Sequence, residues 1–258
     1  MPPSRPLLAL AAALALVTGC TSTIAGSGAP AAGAGMSRAA AATSRAAAPT
    51  PTATYNGVAS MSGEDALGTA YYALRHAPSV RLSARFNGDG NPWTLELRYR
   101  GTDSDGRYVI DGMTVQIRKI GRSVYRKASQ EYWRSRLGPA AGPLPAGKWI
   151  KVPITDKSLK DLPDLLQQDQ MADAYMGLPG TLSTGVLRTV NGVETVPVIS
   201  DGPEKETAYV AIVGEPYPVR IETGTNVGSV DFLDYGRPVT ITAPPPAQVA
   251  EFEALPTG

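Results

Sequence analysis

The sequence predicts an α+β fold: one domain of about 200 residues with a large antiparallel sheet and two main helices. Three observations carry this. An apolar stripe of helical spacing occupies residues 62–76. From residue 80 the spacing changes to strict alternation. Short alternating segments then recur to residue 243, separated by Gly, Pro, Asn and Asp, with Val190-Asn191-Gly192-Val193 a strong two-residue hairpin signal.

The elements follow in order. Ser62-Gly63-Glu64-Asp65 reads as a helix start, with Ser62 as N-cap and acids in the first turn to complement the dipole. Leu67, Ala70, Tyr71 and Leu74 form its buried stripe, and Pro78 stops it. Val80, Leu82, Ala84 and Phe86 then alternate with Arg81, Ser83 and Arg85. Trp93, Leu95, Leu97 and Tyr99 alternate with Thr94, Glu96, Arg98 and Arg100. These are two strands with one wet face. Strands continue at Tyr108–Asp111, Met113–Ile120 and Ser123–Lys127, followed by a helical turn at Gln130–Leu137 and a strand at Lys148–Val152. A second helix is expected over Leu162–Met176, with Asp161 as N-cap and Gly177 closing it. Further strands are expected at Thr207–Val213, Val219–Thr223, Gly228–Phe232 and Val239–Ala243.

The amino terminus has a different character. Leu7 to Val17 is an apolar run of eleven residues, short of the roughly 20 that span a bilayer, so it reads as a signal-peptide core. Val17-Thr18-Gly19-Cys20 looks like a bacterial lipobox. Its cysteine would be diacylated and become the mature N-terminus. Residues 1–19 are then the signal peptide, and residues 20–58 the lipidated Cys20 with an Ala/Gly/Ser/Thr/Pro tether that cannot bury a core. By random-coil scaling the tether reaches on the order of 30 Å, and Pro49-Thr50-Pro51-Thr52 offers sites for O-glycans. The folded domain is 59–258. The expected location is the extracytoplasmic face of the cell membrane, held by two acyl chains.

Composition excludes much chemistry. One Cys removes any intrachain disulfide framework, and one His leaves no His-rich metal site. His76 falls in the last turn of the first helix, where a cation complements the dipole. No Gly-x-Ser-x-Gly elbow occurs. Asn87–Asn91 lacks the ligands of a calcium loop, and Asp103-Ser104-Asp105-Gly106 reads as a turn. No catalytic residue, metal ligand, cofactor or nucleic-acid partner is expected. The formal charge of +1 conceals a split: residues 75–160 carry 17 Lys/Arg against 7 Asp/Glu, and residues 161–258 carry 4 against 14. Either these blocks become neighbours and pair, or a basic face meets anionic lipid.

The C-terminal half carries a resemblance. Thr189–Val196, Tyr217-Pro218-Val219-Arg220-Ile221-Glu222 and Phe232–Ile241 followed by Pro244, with Gly147-Lys148-Trp149-Ile150-Lys151-Val152 upstream, form its series. The chain resembles the actinobacterial LolA-like lipoproteins of the LppX/LprAFG type across roughly residues 60–250. The resemblance implies a strongly curved antiparallel half-barrel whose helices cover the concave face, with an acyl-chain cavity between them. It also implies a carrier of lipids or lipoglycans across the cell envelope, and no enzyme. The residues supply cavity candidates: Leu82, Phe86, Leu95, Leu97, Val115 and Ile117 from strands, with Leu67, Tyr71, Leu74, Leu165 and Leu166 opposing them from helices. The competing expectation is a surface lipoprotein that binds a protein or glycan partner and has no ligand cavity. Replacing Cys20 should move the mature protein out of the detergent phase on partitioning. A Cys20→Ser protein that stays there would refute the anchor.

Overall fold

The computed structural model describes residues 54–88, 91–138, 147–160, 162–223 and 228–251. All belong to one compact unit, Ala53–Gly258. The expected signal peptide, Cys20, most of the expected tether and Asp161, the expected N-cap, lie outside the described residues.

Helix α1 (Gly63–His76) starts where its cap chemistry dictates: the Ser62 hydroxyl accepts from the Asp65 amide at 3.1 Å. Its buried side is Ala66, Leu67, Ala70 and Leu74. Helix α2 (Gln130–Leu137) is capped in the same way by Ser129 and buries Tyr132, Trp133 and Leu137. The long second helix expected over Leu162–Met176 is instead two, α3 (Leu162–Leu165) and α4 (Gln168–Met176). The break has a tertiary cause. The Tyr99 hydroxyl donates to the Leu165 carbonyl at 2.7 Å, and the Ser104 hydroxyl to the Leu166 carbonyl at 2.9 Å. Burial pushes the Tyr99 phenol well above its ordinary pKa, so it remains a donor. Gln168 is buried and donates to the carbonyls of Leu74 (2.9 Å) and Ala77 (2.8 Å) at the end of α1, of which the Leu74 carbonyl otherwise has only a long bond from the Ala77 amide at 3.4 Å. Sheet and helix bonds therefore replace the bonds of a continuous helix. Gly177 closes α4 at φ −84°, outside the left-handed region expected of a glycine cap.

The strands are β1 (Val80–Gly88), β2 (Asn91–Arg100), β3 (Asp103–Ile110), β4 (Met113–Ile120), β5 (Ser123–Lys127), β6 (Trp149–Pro153), β7 (Leu182–Thr184), β8 (Arg188–Val190), β9 (Val193–Ser200), β10 (Thr207–Ala211), β11 (Pro218–Glu222), β12 (Gly228–Leu233) and β13 (Val249–Glu251). They make one curved, unclosed sheet in the order β13-β6-β5-β4-β3-β2-β1-β12-β11-β10-β9-β7, with β8 also on β9. Among the described pairs only β13–β6 is parallel. The Asn191-Gly192 hairpin is present, both residues at positive φ.

Register shows which side chains share the concave face. Phe232, Leu82, Leu97, Gly106, Ile117, Arg126 and Ile150 lie opposite one another in successive strands. Residues directly opposite in antiparallel pairs point to the same face. This row is apolar apart from Gly106, which has no side chain, and Arg126. A Cβ on Gly106 would overlap the backbone carbonyl oxygen of Glu96. The Asp103–Gly106 segment, expected as a turn, is thus the start of β3. The turn lies just before it, with Gly101 at φ 59°.

Val239–Ala243 is not the expected strand. After β12 the chain crosses the other face of the sheet as an irregular strap and reaches the edge as β13. Side chains hold it: Ser79 donates to the Arg237 carbonyl at 2.7 Å and Arg118 to the Thr242 carbonyl at 2.6 Å, with Ile241 buried beneath. The alternating apolar pattern of 239–243 marks this packing, while the carbonyl partners are side chains and form no ladder. Part of the charge split resolves by pairing between the blocks: Arg75 with Asp173 (3.1 Å), Arg81 with Asp234 (2.6 Å) and Lys151 with Glu251 (2.8 Å). Arg118, by contrast, pairs within the basic block with Asp105 at 2.7 Å. Gly106→Ala should destabilise at or above the upper end of the roughly 1–3 kcal/mol typical of overpacking. Ser62→Ala should cost about 1 kcal/mol. Urea midpoints of the two variants would show the order.

Candidate functional site

The concave face is not filled evenly. Over β9 to β11 it is roofed by α1, against which α4 packs. Toward the other side of the sheet, α2 and residues 157–165 leave a cleft of about 450 Å³. Its sheet wall is Trp93, Tyr108, Ile110 and Arg126. Helix α2 contributes Tyr132, Trp133, Arg136 and Leu137, and the third wall is Lys157, Ser158, Leu159, Lys160, Leu162 and Leu165. The lining is predominantly apolar and aromatic, and the volume falls within the roughly 300–1,000 Å³ of small-ligand sites.

The polar groups of the cleft are few and specific. Arg126 is only 3% exposed. It lies 5.2 Å from the Trp133 ring centroid and donates to the Ser158 hydroxyl at 2.6 Å and, more weakly, to its carbonyl at 3.4 Å. Its Nε has no hydrogen-bond partner, and among the described residues no carboxylate lies within ion-pair distance of it. Ser158 in turn donates to the buried Asp156, so a hydroxyl links that carboxylate to Arg126. Beside Arg126 the hydroxyls of Tyr108 and Tyr132 bond each other at 2.8 Å. Burial first, and Tyr132 second, push the Tyr108 phenol up, with Arg126 acting in the opposite direction. At the rim, Arg136 pairs with Asp111 at 2.8 Å, while Lys157 and Lys160 are exposed. Lys160 sits at φ 49°, strained for a side chain of its size. Among the described residues, four cations and no carboxylate line the cleft.

The eleven sequence candidates divide unevenly. Leu67, Leu74, Leu82, Leu95, Leu97, Val115, Ile117 and Leu166 are buried in the core, and Tyr71 and Phe86 pack against it. Leu165 lines the cleft. Tyr71 also donates to Asp173 and accepts from Arg75, on the outer side of the α1–α4 contact. Sequence reasoning missed Arg126 and the aromatic pair of α2. A signal for Arg126 existed: alternation in Ser123–Lys127 places it on the same face as Val124, which is fully buried. His76 stacks on Tyr72 at a centroid distance of 4.0 Å and bonds the Tyr72 carbonyl. Among the described residues no three His, Cys, Asp or Glu side chains converge as a metal site.

No protein-family model and no curated protein sequence matches the chain. Solved structures do. LprF from Mycobacterium bovis superposes with a TM-score of 0.50 at 15% identity, over 70% of this chain and 96% of that one. The fold is that of LprF. Lipoprotein LppX from Mycobacterium tuberculosis is also similar, with a TM-score of 0.46 at 14% identity, covering 70% of this chain and 98% of its own. The resemblance read from the C-terminal motifs therefore stands at the level of fold, the α+β half-barrel seen in LprF.

Arg126 is costly where it stands, because a buried cation without a carboxylate partner loses its hydration. Arg126→Met should leave the thermal midpoint of the ligand-free domain unchanged, or raise stability by about 1 kcal/mol or more. A fall of similar size, measured by thermal or urea unfolding, would mark Arg126 as a structural group instead.

Proposed function

We propose that the protein is a membrane-tethered lipoprotein that binds a lipid acyl chain non-covalently and carries lipid or lipoglycan within the cell envelope. One observation carries this reading: the apolar, aromatic-lined cleft of about 450 Å³ between sheet and helices. An interaction module needs no such void. Transfer of a chain into the cleft would contribute about 0.8 kcal/mol for each methylene removed from water. Walls contributed by a rigid sheet and two short helical segments reduce the ordering cost of binding.

The lipobox around Cys20 and the tether to residue 58 supply the anchor in this reading. Two acyl chains on Cys20 would hold the domain at the extracytoplasmic face, within tether reach of the bilayer that supplies its ligand. The role is one of binding and transfer, and no reaction is assigned to it.

The test is direct. Protein purified from its native membrane should release lipid on organic extraction, identified by mass spectrometry. Leu165→Trp, which places a larger side chain in the cleft, should lose that lipid while keeping the wild-type circular dichroism. Lipid absent from wild-type protein, or bound equally by the Trp variant, would overturn the proposal.

A further inference from the structure

We infer that the cleft selects amphiphiles with an anionic head, a phosphate or carboxylate, and that Arg126 is the residue that reads the charge. The inference rests on the lipid-binding reading of the same cleft and adds to it the chemical class of the ligand.

The argument starts from register. Arg126 occupies a concave-face position whose neighbours in the row are Ile117 and Ile150. Buried positions of this kind ordinarily hold apolar residues, and a buried cation ordinarily has a carboxylate. Arg126 has neither an exposed head nor, among the described residues, an ion pair. A guanidinium carries more donors than the two bonds to Ser158 use, and its Nε is unpartnered. The group is therefore desolvated with its Nε donor unsatisfied, which is the condition of a binding residue awaiting an anion.

The surroundings agree with this. Lys157 and Lys160 stand exposed at the rim, Arg136 is half-paired with Asp111, and no carboxylate of the described residues lines the cleft. The field along the cleft is thus positive from mouth to Arg126 and favours anions. The linked hydroxyls of Tyr108 and Tyr132 leave one proton free to donate onward. Trp93, Ile110, Leu162 and Leu165 offer apolar surface for a tail. Arg126 on β5 and Trp93 on β2 are three strand steps apart, about 14 Å across the strands, and Trp93 lies nearer the start of β2 than Leu97 of Arg126's row, which separates a head subsite from a tail subsite.

The experiment uses the folded domain and the fluorescence of Trp93 and Trp133, both of which line the cleft. The probes, each below its micellar concentration, are dodecyl phosphate, dodecyl maltoside and inorganic phosphate. Wild type should bind dodecyl phosphate about tenfold tighter than dodecyl maltoside, the gain expected of a charge-assisted hydrogen bond. Arg126→Met should bind the two equally, and inorganic phosphate should bind weakly to both proteins.

A phosphate preference that survives in Arg126→Met would overturn the inference. Inorganic phosphate binding as tightly as dodecyl phosphate, and dependent on Arg126, would make this a free-anion site and also overturn it. Equal binding of both detergents by wild type, with both blocked by Leu165→Trp, would sink the charge selection while leaving the lipid cleft standing. If no amphiphile binds, both readings fall. Should Arg126→Met be poorly folded, Arg126→Lys provides the second comparison. It keeps the charge but loses the planar donor fork, so its preference for dodecyl phosphate should fall between wild type and no preference; a preference equal to that of wild type would count against readout by the guanidinium.

Discussion

An unclosed curved sheet has an apolar concave face that its own strands cannot cover, and the rest of this structure depends on how that face is roofed. The roof is made of short helices, none long enough to bury the whole face. They are held by polar bonds to backbone carbonyls: Tyr99 to Leu165, Ser104 to Leu166, and Gln168 to Leu74 and Ala77. The first two satisfy carbonyls that the broken helix would otherwise leave orphaned in the interior, and Gln168 ties the start of α4 to the end of α1. The break between α3 and α4 is thus a bonded junction that lets the roof follow a curved surface.

A roof of separate pieces leaves a gap. It opens where α2 and residues 157–165 stand apart over β2 to β5, and aromatic side chains line it. Arg126 lies in that gap at a cost to the empty domain. Its neighbours moderate the cost: Trp133 offers a ring face, and Ser158 passes part of the influence of Asp156. Stability and binding make opposite demands on this one position, a usual feature of ligand sites.

Much of the architecture was legible because local chemistry and tertiary demand agree there. The Ser62 cap, the Pro78 stop, the Asn191-Gly192 turn and the alternation of residues 80–86 and 93–99 each survive into the structure. The failures are positions where side chains replace backbone partners. Leu162–Met176 reads as one helix because its stripe is continuous, yet bonds from Tyr99, Ser104 and Gln168 divide it. Val239–Ala243 alternates like a strand, yet it is a strap held by arginine and serine side chains. The cleft was the hardest feature to read, since filled core and lined cavity produce the same alternation. Leu165 is the candidate that falls on the lining, while the strand candidates pack into the core.

From its sequence, a chain with one cysteine placed behind a short apolar run is expected to be tethered, and its alternating segments predict a sheet with one wet face. These are local properties, carried by spacing of a few residues. Where the roof parts, and that the inward row of strand residues includes a buried arginine beside two tyrosines, depends on register across five or more strands. Contacts between residues so far apart in sequence have no local signature, so the tertiary structure alone decided them.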